Sequence, residues 1–139
     1  MAVRIGTSGY SFKDWAGPFY PANISPSAML RHYCDHFDVA ELNVSYYRIP
    51  SSSSAKKMAD QTPPGFGFTV KLHSSMTHER TPKPEDFAAF SEFIRPLAGA
   101  GKLLGLLAQF PWSWRNTPEN RDYLLWLRGQ LAPQPLFVE

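Results

Sequence analysis

Five short apolar runs, at Val3 to Thr7, Val39 to Asn43, Phe66 to Leu72, Leu103 to Gln109 and Leu136 to Glu139, punctuate the chain and read as strands. Between them the apolar positions change period. Met29, Leu30, Tyr33, Cys34 and Phe37 share one helical stripe, as do Phe87, Phe90, Ile94 and Leu97, and then Leu124, Leu127 and Leu131. A weaker helix is predicted over Ser52 to Gln61, carrying Ala55, Met58 and Ala59; it stops before Pro63 and Pro64, which cannot continue it. Ser25-Pro26 and Thr117-Pro118 each put a capping side chain before a proline suited to the first helical position, and Thr81 to Pro84 reads as a turn.

Strands alternating with helices at intervals of roughly 30 residues imply right-handed parallel βαβ units, with helices covering a sheet. Two architectures satisfy this pattern. A closed (β/α) barrel takes eight such units in about 250 residues, whereas a five-stranded doubly wound α/β sheet uses a chain of this length whole. In the barrel reading, Ile5, Leu42, Val70 and Leu106 or Leu107 are expected on the inward face of the strands.

Composition narrows the class. At 139 residues the chain is one domain, residues 1–139, and 43% hydrophobic with 14% aromatic residues exclude a disordered segment. Fourteen basic against 12 acidic side chains leave a net charge of +2, too small to bring the whole molecule to nucleic acid or a membrane, so phosphate binding would be local. The single cysteine, Cys34, excludes an internal disulfide framework and sits on a helical stripe, where its expected role is packing. The opening segment Met1 to Ser8 lacks the long apolar core of a secretory signal, and no later run reaches the ~20 residues of a membrane span. The expectation is a soluble, cytoplasmic protein without a membrane partner.

Several blocks recur in a characteristic order: Gly6-Thr7-Ser8-Gly9-Tyr10, Trp15, Phe19-Tyr20-Pro21, Phe37, Glu41-Leu42-Asn43, Tyr46-Tyr47-Arg48 and Pro50. They continue with Thr62-Pro63-Pro64-Gly65-Phe66, Phe68, Val70-Lys71, Thr77-His78, Gly105, Leu107, Gln109-Phe110-Pro111 and Phe137-Val138-Glu139. Together they resemble the YecE-like family of domains of unknown function over nearly the whole chain. The resemblance implies a TIM-barrel-like parallel (β/α) barrel truncated to about its first five strands and four helices. The five-stranded doubly wound sheet stands as the alternative.

In such barrels the site lies at the C-terminal ends of the strands, which selects candidates by position. Glu41 and Glu139 are charges at the ends of apolar strands, where desolvation must be offset by a partner, a metal or a ligand. Pairing with Arg4 or Lys71 is the ordinary alternative. Lys71 could neutralise an anion or act as nucleophile or base, and His78, beside Glu79 and near His73, could move a proton or bind metal. Glu41, Lys71, His78 and Glu139 are thus the catalytic candidates. Tyr10, Trp15, Tyr20, Asn43, Tyr47, Arg48, Gln109 and Trp112 are the substrate-binding candidates, offering amide hydrogen bonds, stacking rings and one cation. His32 and His36, one helical turn apart, read as solvated surface. Nothing matches a phosphate loop, a dinucleotide fingerprint or a nucleophile elbow.

Three functions follow. The first is an enzyme, a hydrolase or lyase on a phosphorylated, sugar-like or nucleic-acid substrate, with no evident cofactor beyond a candidate divalent metal at Glu41, His78 and Glu139. The second is a non-catalytic module binding a nucleotide or nucleic acid. The third is an inactive truncated half-barrel. Its expected partners are a small-molecule or nucleic-acid ligand and either a second copy of the chain or the missing C-terminal half.

Overall fold

The structure is a computed structural model that describes residues 3–139; Met1 and Ala2 of the opening segment lie outside the described residues. Five strands, β1 (Gly6–Ser8), β2 (Val39–Leu42), β3 (Gly67–Lys71), β4 (Leu103–Ala108) and β5 (Leu136–Val138), form one sheet in the order β1-β2-β3-β4-β5. Every neighbouring pair is parallel. This order overturns the doubly wound alternative, because such a sheet reverses its strand order at a switch point and here no reversal occurs. The sheet is open, with β1 and β5 at its edges.

Parallel strands must be joined by crossovers, supplied here mainly by α1 (Pro26–Cys34), α3 (Ser52–Gln61), α5 (Pro84–Gly99) and α6 (Pro118–Leu131). Two single-turn helices, α2 (Val44–Tyr47) and α4 (Ser74–Thr77), follow β2 and β3 directly. The expected caps fared unequally. Thr117 accepts the Asn120 amide at 3.3 Å, but Ser25 makes no cap bond, its hydroxyl meeting Ser27 Oγ at 3.1 Å instead.

The pleat sorts each strand into two faces. Ala40, Leu42, Phe68, Val70, Leu106 and Ala108 are buried in one cluster with Leu30 and Tyr33 of α1, Ala55 of α3, Phe90, Phe93 and Leu97 of α5, and Leu127 of α6. Leu107, in register with Lys71, takes the opposite face as its alternative expected, but Leu42, Val70 and Leu106 face the helices and not the inside of a barrel, a correction to the expected inward set. The apolar helical stripes need those residues to complete their core, which leaves the half-buried Glu41, Thr69 and Lys71 on the opposite face. Strand β1 is also shorter than expected. Its pairing starts at Gly6↔Val39, where β2 begins, so Val3 and Ile5 find no partner strand and are 86% and 70% exposed.

Close packing fixes Gly105 within β4. A Cβ on Gly105 would lie 2.6 Å from the Phe137 ring and 3.0 Å from the Pro135 carbonyl oxygen. Gly105→Ala is accordingly expected to cost about 1–3 kcal/mol through overpacking, read as a lower urea midpoint at unchanged slope. An unshifted midpoint would show that β5 yields without cost.

Candidate functional site

Strand β1 ends in Ser8, β2 in Leu42 and β3 in Lys71, and their loops surround a cleft of about 500 Å³ lined by Ser8, Tyr10, Glu41, Asn43, Tyr47 and Lys71, with Met58 and Phe12 as apolar wall. The pairing Ser8↔Glu41 puts these two side chains in register. Asn43 Nδ2 donates to Ser8 Oγ at 2.6 Å, and Ser8 Oγ donates to Glu41 Oε1 at 2.6 Å. This directed relay orients the carboxylate and fixes which way the Asn43 amide points. The other end of that amide, Oδ1, is buried, and no donor among the described residues reaches it. Such an atom costs about 1–3 kcal/mol unless a donor arrives.

The ordinary alternative for the charges is not realised. Arg4 donates to the Gly65 carbonyl at 2.9 Å, and the ion pairs among the described residues are Lys56–Asp60 and Arg95–Glu92, both on exposed helix surface. Among the described residues no acidic group lies within ion-pair distance of Lys71. Its ammonium sits 4.7 Å above the Tyr46 ring, a contact that holds a cation in place without neutralising it. Tyr46 in turn packs edge-on against Tyr47 at 5.0 Å and His78 at 5.1 Å. The one-turn helix α2 thus carries the aromatic support of the cleft.

Gln109, Trp112 and Glu139 line a second cleft on the same strand-end side, of about 560 Å³, with Phe110, Pro111, Trp114 and Arg115. The loop after β3 is clamped to the loop after β4. Arg80, held at a left-handed φ of 56°, lies 5.3 Å over the Trp114 ring and donates to Asn120 Oδ1 at 3.1 Å. Tyr123 donates to the Met76 carbonyl at 2.7 Å, and burial raises its phenol pKa against the lowering field of Arg80.

Other candidates lie elsewhere. Tyr20 is buried in the aromatic cluster, its hydroxyl donating to the Tyr10 carbonyl. Burial, then Tyr33, Tyr10 and Cys34, push its pKa up to about 12. Trp15 packs against Phe12, Phe19 and Tyr20 at 4.8, 5.7 and 6.0 Å. Both tie down the loop after β1 and line neither cleft. Tyr10 is anchored from the other side against Tyr33, and burial, then Cys34, raises its pKa. Arg48, exposed at the end of α2, lines neither cleft.

His78 is exposed beside Thr77, its Nδ1 3.1 Å from the Thr77 hydroxyl, while Glu79 accepts from Ser74 Oγ at 2.5 Å. His73 serves as the cap of α4, accepting the Ser75 amide at 3.3 Å. Glu41, His78 and Glu139 thus occupy three separate places. Among the described residues no group of three or more His, Cys, Asp or Glu is placed to hold a metal ion. His32 and His36 stack on each other at 4.9 Å, and His32 packs on Phe19 and Tyr20, so this pair is more than solvated surface.

Comparison with known proteins decides the family. The profile of the protein family of unknown function DUF72 matches residues 4–139. The chain belongs to the DUF72 family. It is 32% identical over 143 aligned residues to the UPF0759 protein YunF of Bacillus subtilis, covering 99% of this chain and 50% of that protein. Among solved structures it is similar to a DUF72 family protein of Thermotoga maritima, with 42% identity and a TM-score of 0.82, covering 98% of this chain and 54% of that one. A DUF72 family protein of Enterococcus faecalis matches at 28% identity and a TM-score of 0.73, over 82% of this chain and 48% of that one. The chain spans about half the length of these relatives. Among the described residues no helix is long and apolar enough to cross a membrane.

Proposed function

We propose that this DUF72 chain, a YecE-like member of its family, carries the strand-end face of an enzyme: a hydrolase or lyase acting on a small phosphorylated, sugar-like substrate. The observation that carries this reading is the Asn43–Ser8–Glu41 relay beside a lysine with no acidic partner among the described residues. An oriented carboxylate can take a proton from, or return it to, a reacting hydroxyl. Lys71 supplies the charge that would hold a phosphate. The buried Asn43 oxygen accepts a substrate hydroxyl, and Tyr10 and Tyr47 flank the ring. Inorganic phosphate titrated by calorimetry tests the anion subsite: Lys71→Met is expected to weaken it at least about tenfold, or ~1.4 kcal/mol. Equal affinity in the variant and the parent would remove Lys71 from the site.

The open sheet is read as five strands of a (β/α) barrel in a cytoplasmic protein, completed by further strands of a longer chain or by a second copy. The sequential strand order and the relatives' doubled length support this. The exposed rings of Tyr47 and Trp112, at 80% and 93%, favour one second reading, a nucleotide-binding module without turnover.

A further inference from the structure

We infer that the second cleft, between the ends of β4 and β5, is a subsite for a neutral carbohydrate ring. Its central feature is Trp112. An indole 93% exposed is costly in water, and the loop that presents it is built to stay in place. Phe110 and Trp114, on the same loop, stack on each other at 3.9 Å. Arg115 Nη1 donates to the carbonyls of Trp112 at 2.5 Å and Trp114 at 2.9 Å, while Asn120 Nδ2 donates to the Arg115 carbonyl at 2.7 Å. The ring is therefore offered on a pinned loop, with little ordering left for a ligand to impose.

The polar groups around the indole decide what it takes. Glu139 is fixed beside β4 by backbone bonds, its N–H donating to Ala108 O at 3.0 Å and its carbonyl accepting from Phe110 N–H at 2.8 Å. Gln109 stands between them, and both line the cleft. A carboxylate accepts hydroxyl hydrogens, and an amide both accepts and donates. An aromatic face with its negative quadrupole suits the weakly positive C–H face of a sugar ring. A phosphate would meet the Glu139 charge, and the cation that lines this cleft, Arg115, spends one nitrogen on two backbone carbonyls. A flat ring carrying neutral hydroxyls matches all three groups.

The inference rests on the strand-end face being the ligand face, but not on the chemistry assigned to Glu41 and Lys71. It is tested on the whole chain by two-dimensional NMR with neutral glucose-, mannose- and N-acetylglucosamine-based oligosaccharides, a short single-stranded oligonucleotide and inorganic phosphate as probes. The Trp112 indole N–H is assigned by its loss in Trp112→Phe. At least one sugar is expected to move that resonance and the Gln109 amide, and Trp112→Ala is expected to weaken its binding at least about tenfold, a loss of ~1.4 kcal/mol. Phosphate reports separately through Asn43 and Lys71, so failure at one cleft is distinguished from failure at the other. The inference is overturned if no sugar moves Trp112, if sugar binding survives Trp112→Ala, or if the oligonucleotide alone binds there.

Discussion

Replacing Lys102 by methionine is expected to lower the unfolding free energy by about 2–4 kcal/mol, a large share of the ~5–15 kcal/mol available to a domain. Lys102 is 9% exposed, yet among the described residues no carboxylate pairs with it. Its ammonium donates to Ala59 O at 2.6 Å, to Thr62 O at 2.5 Å and to Thr62 Oγ1 at 2.8 Å. Three donors thus meet three acceptors at the C-terminal end of α3, where the helix dipole favours positive charge. Methionine keeps the volume but removes the donor to the Thr62 carbonyl and leaves Ala59 O only the Thr62 hydroxyl at 3.3 Å. Lys57→Met, on the exposed side of α3, should stay within about 0.5 kcal/mol of the parent. Guanidinium denaturation of both variants checks this, and a Lys102→Met loss under about 1 kcal/mol would contradict it.

The second large effect concerns the open sheet. The chain is expected to self-associate at micromolar concentration, with light scattering giving at least twice the mass of a single copy. Among the described residues β1 and β5 each pair on one side only, and unpaired strand edges recruit further strands. Exposed apolar groups accompany them: Val3 and Ile5 before β1, and Phe137 and Val138 in β5 at 48% and 52% exposure. At ~25 cal/mol per Å² their burial favours assembly by several kcal/mol. Val138→Lys should shift the population toward the monomer by placing a charge on the edge. A cooperatively folded monomer of the parent chain would contradict the expectation and show that these edges are stable alone.

Much of the fold was legible in the pattern of apolar positions, because five strands and four long helices each span enough residues to show a period. The one-turn helices α2 and α4 did not, being shorter than a period needs. Strand faces were misassigned for a related reason: Leu42 and Val70 are apolar whichever side they face, and only the helical stripes packed on them decide the side. At the site, the strand-end rule placed Glu41, Asn43 and Lys71 together by position, and they line one cleft, since parallel strands send their ends one way. It equally selected Trp15 and Tyr20, because a loop aromatic that packs and one that waits for a ligand look alike in one dimension. Lys102 left no signal at all. A lysine after Gly101 reads as the polar start of a strand, and its acceptors at Ala59 and Thr62 lie about 40 residues earlier.

The location of a bound sugar phosphate tests the central claim most directly. Crystals of the chain soaked with a hexose phosphate are predicted to show the phosphate at Lys71 and a ring hydroxyl donating to Asn43 Oδ1, with Glu41 still bonded to Ser8. The same ligand seated at the opposite end of the strands, against Cys34, Phe37 and Pro63, with the Glu41 cleft empty, would contradict it.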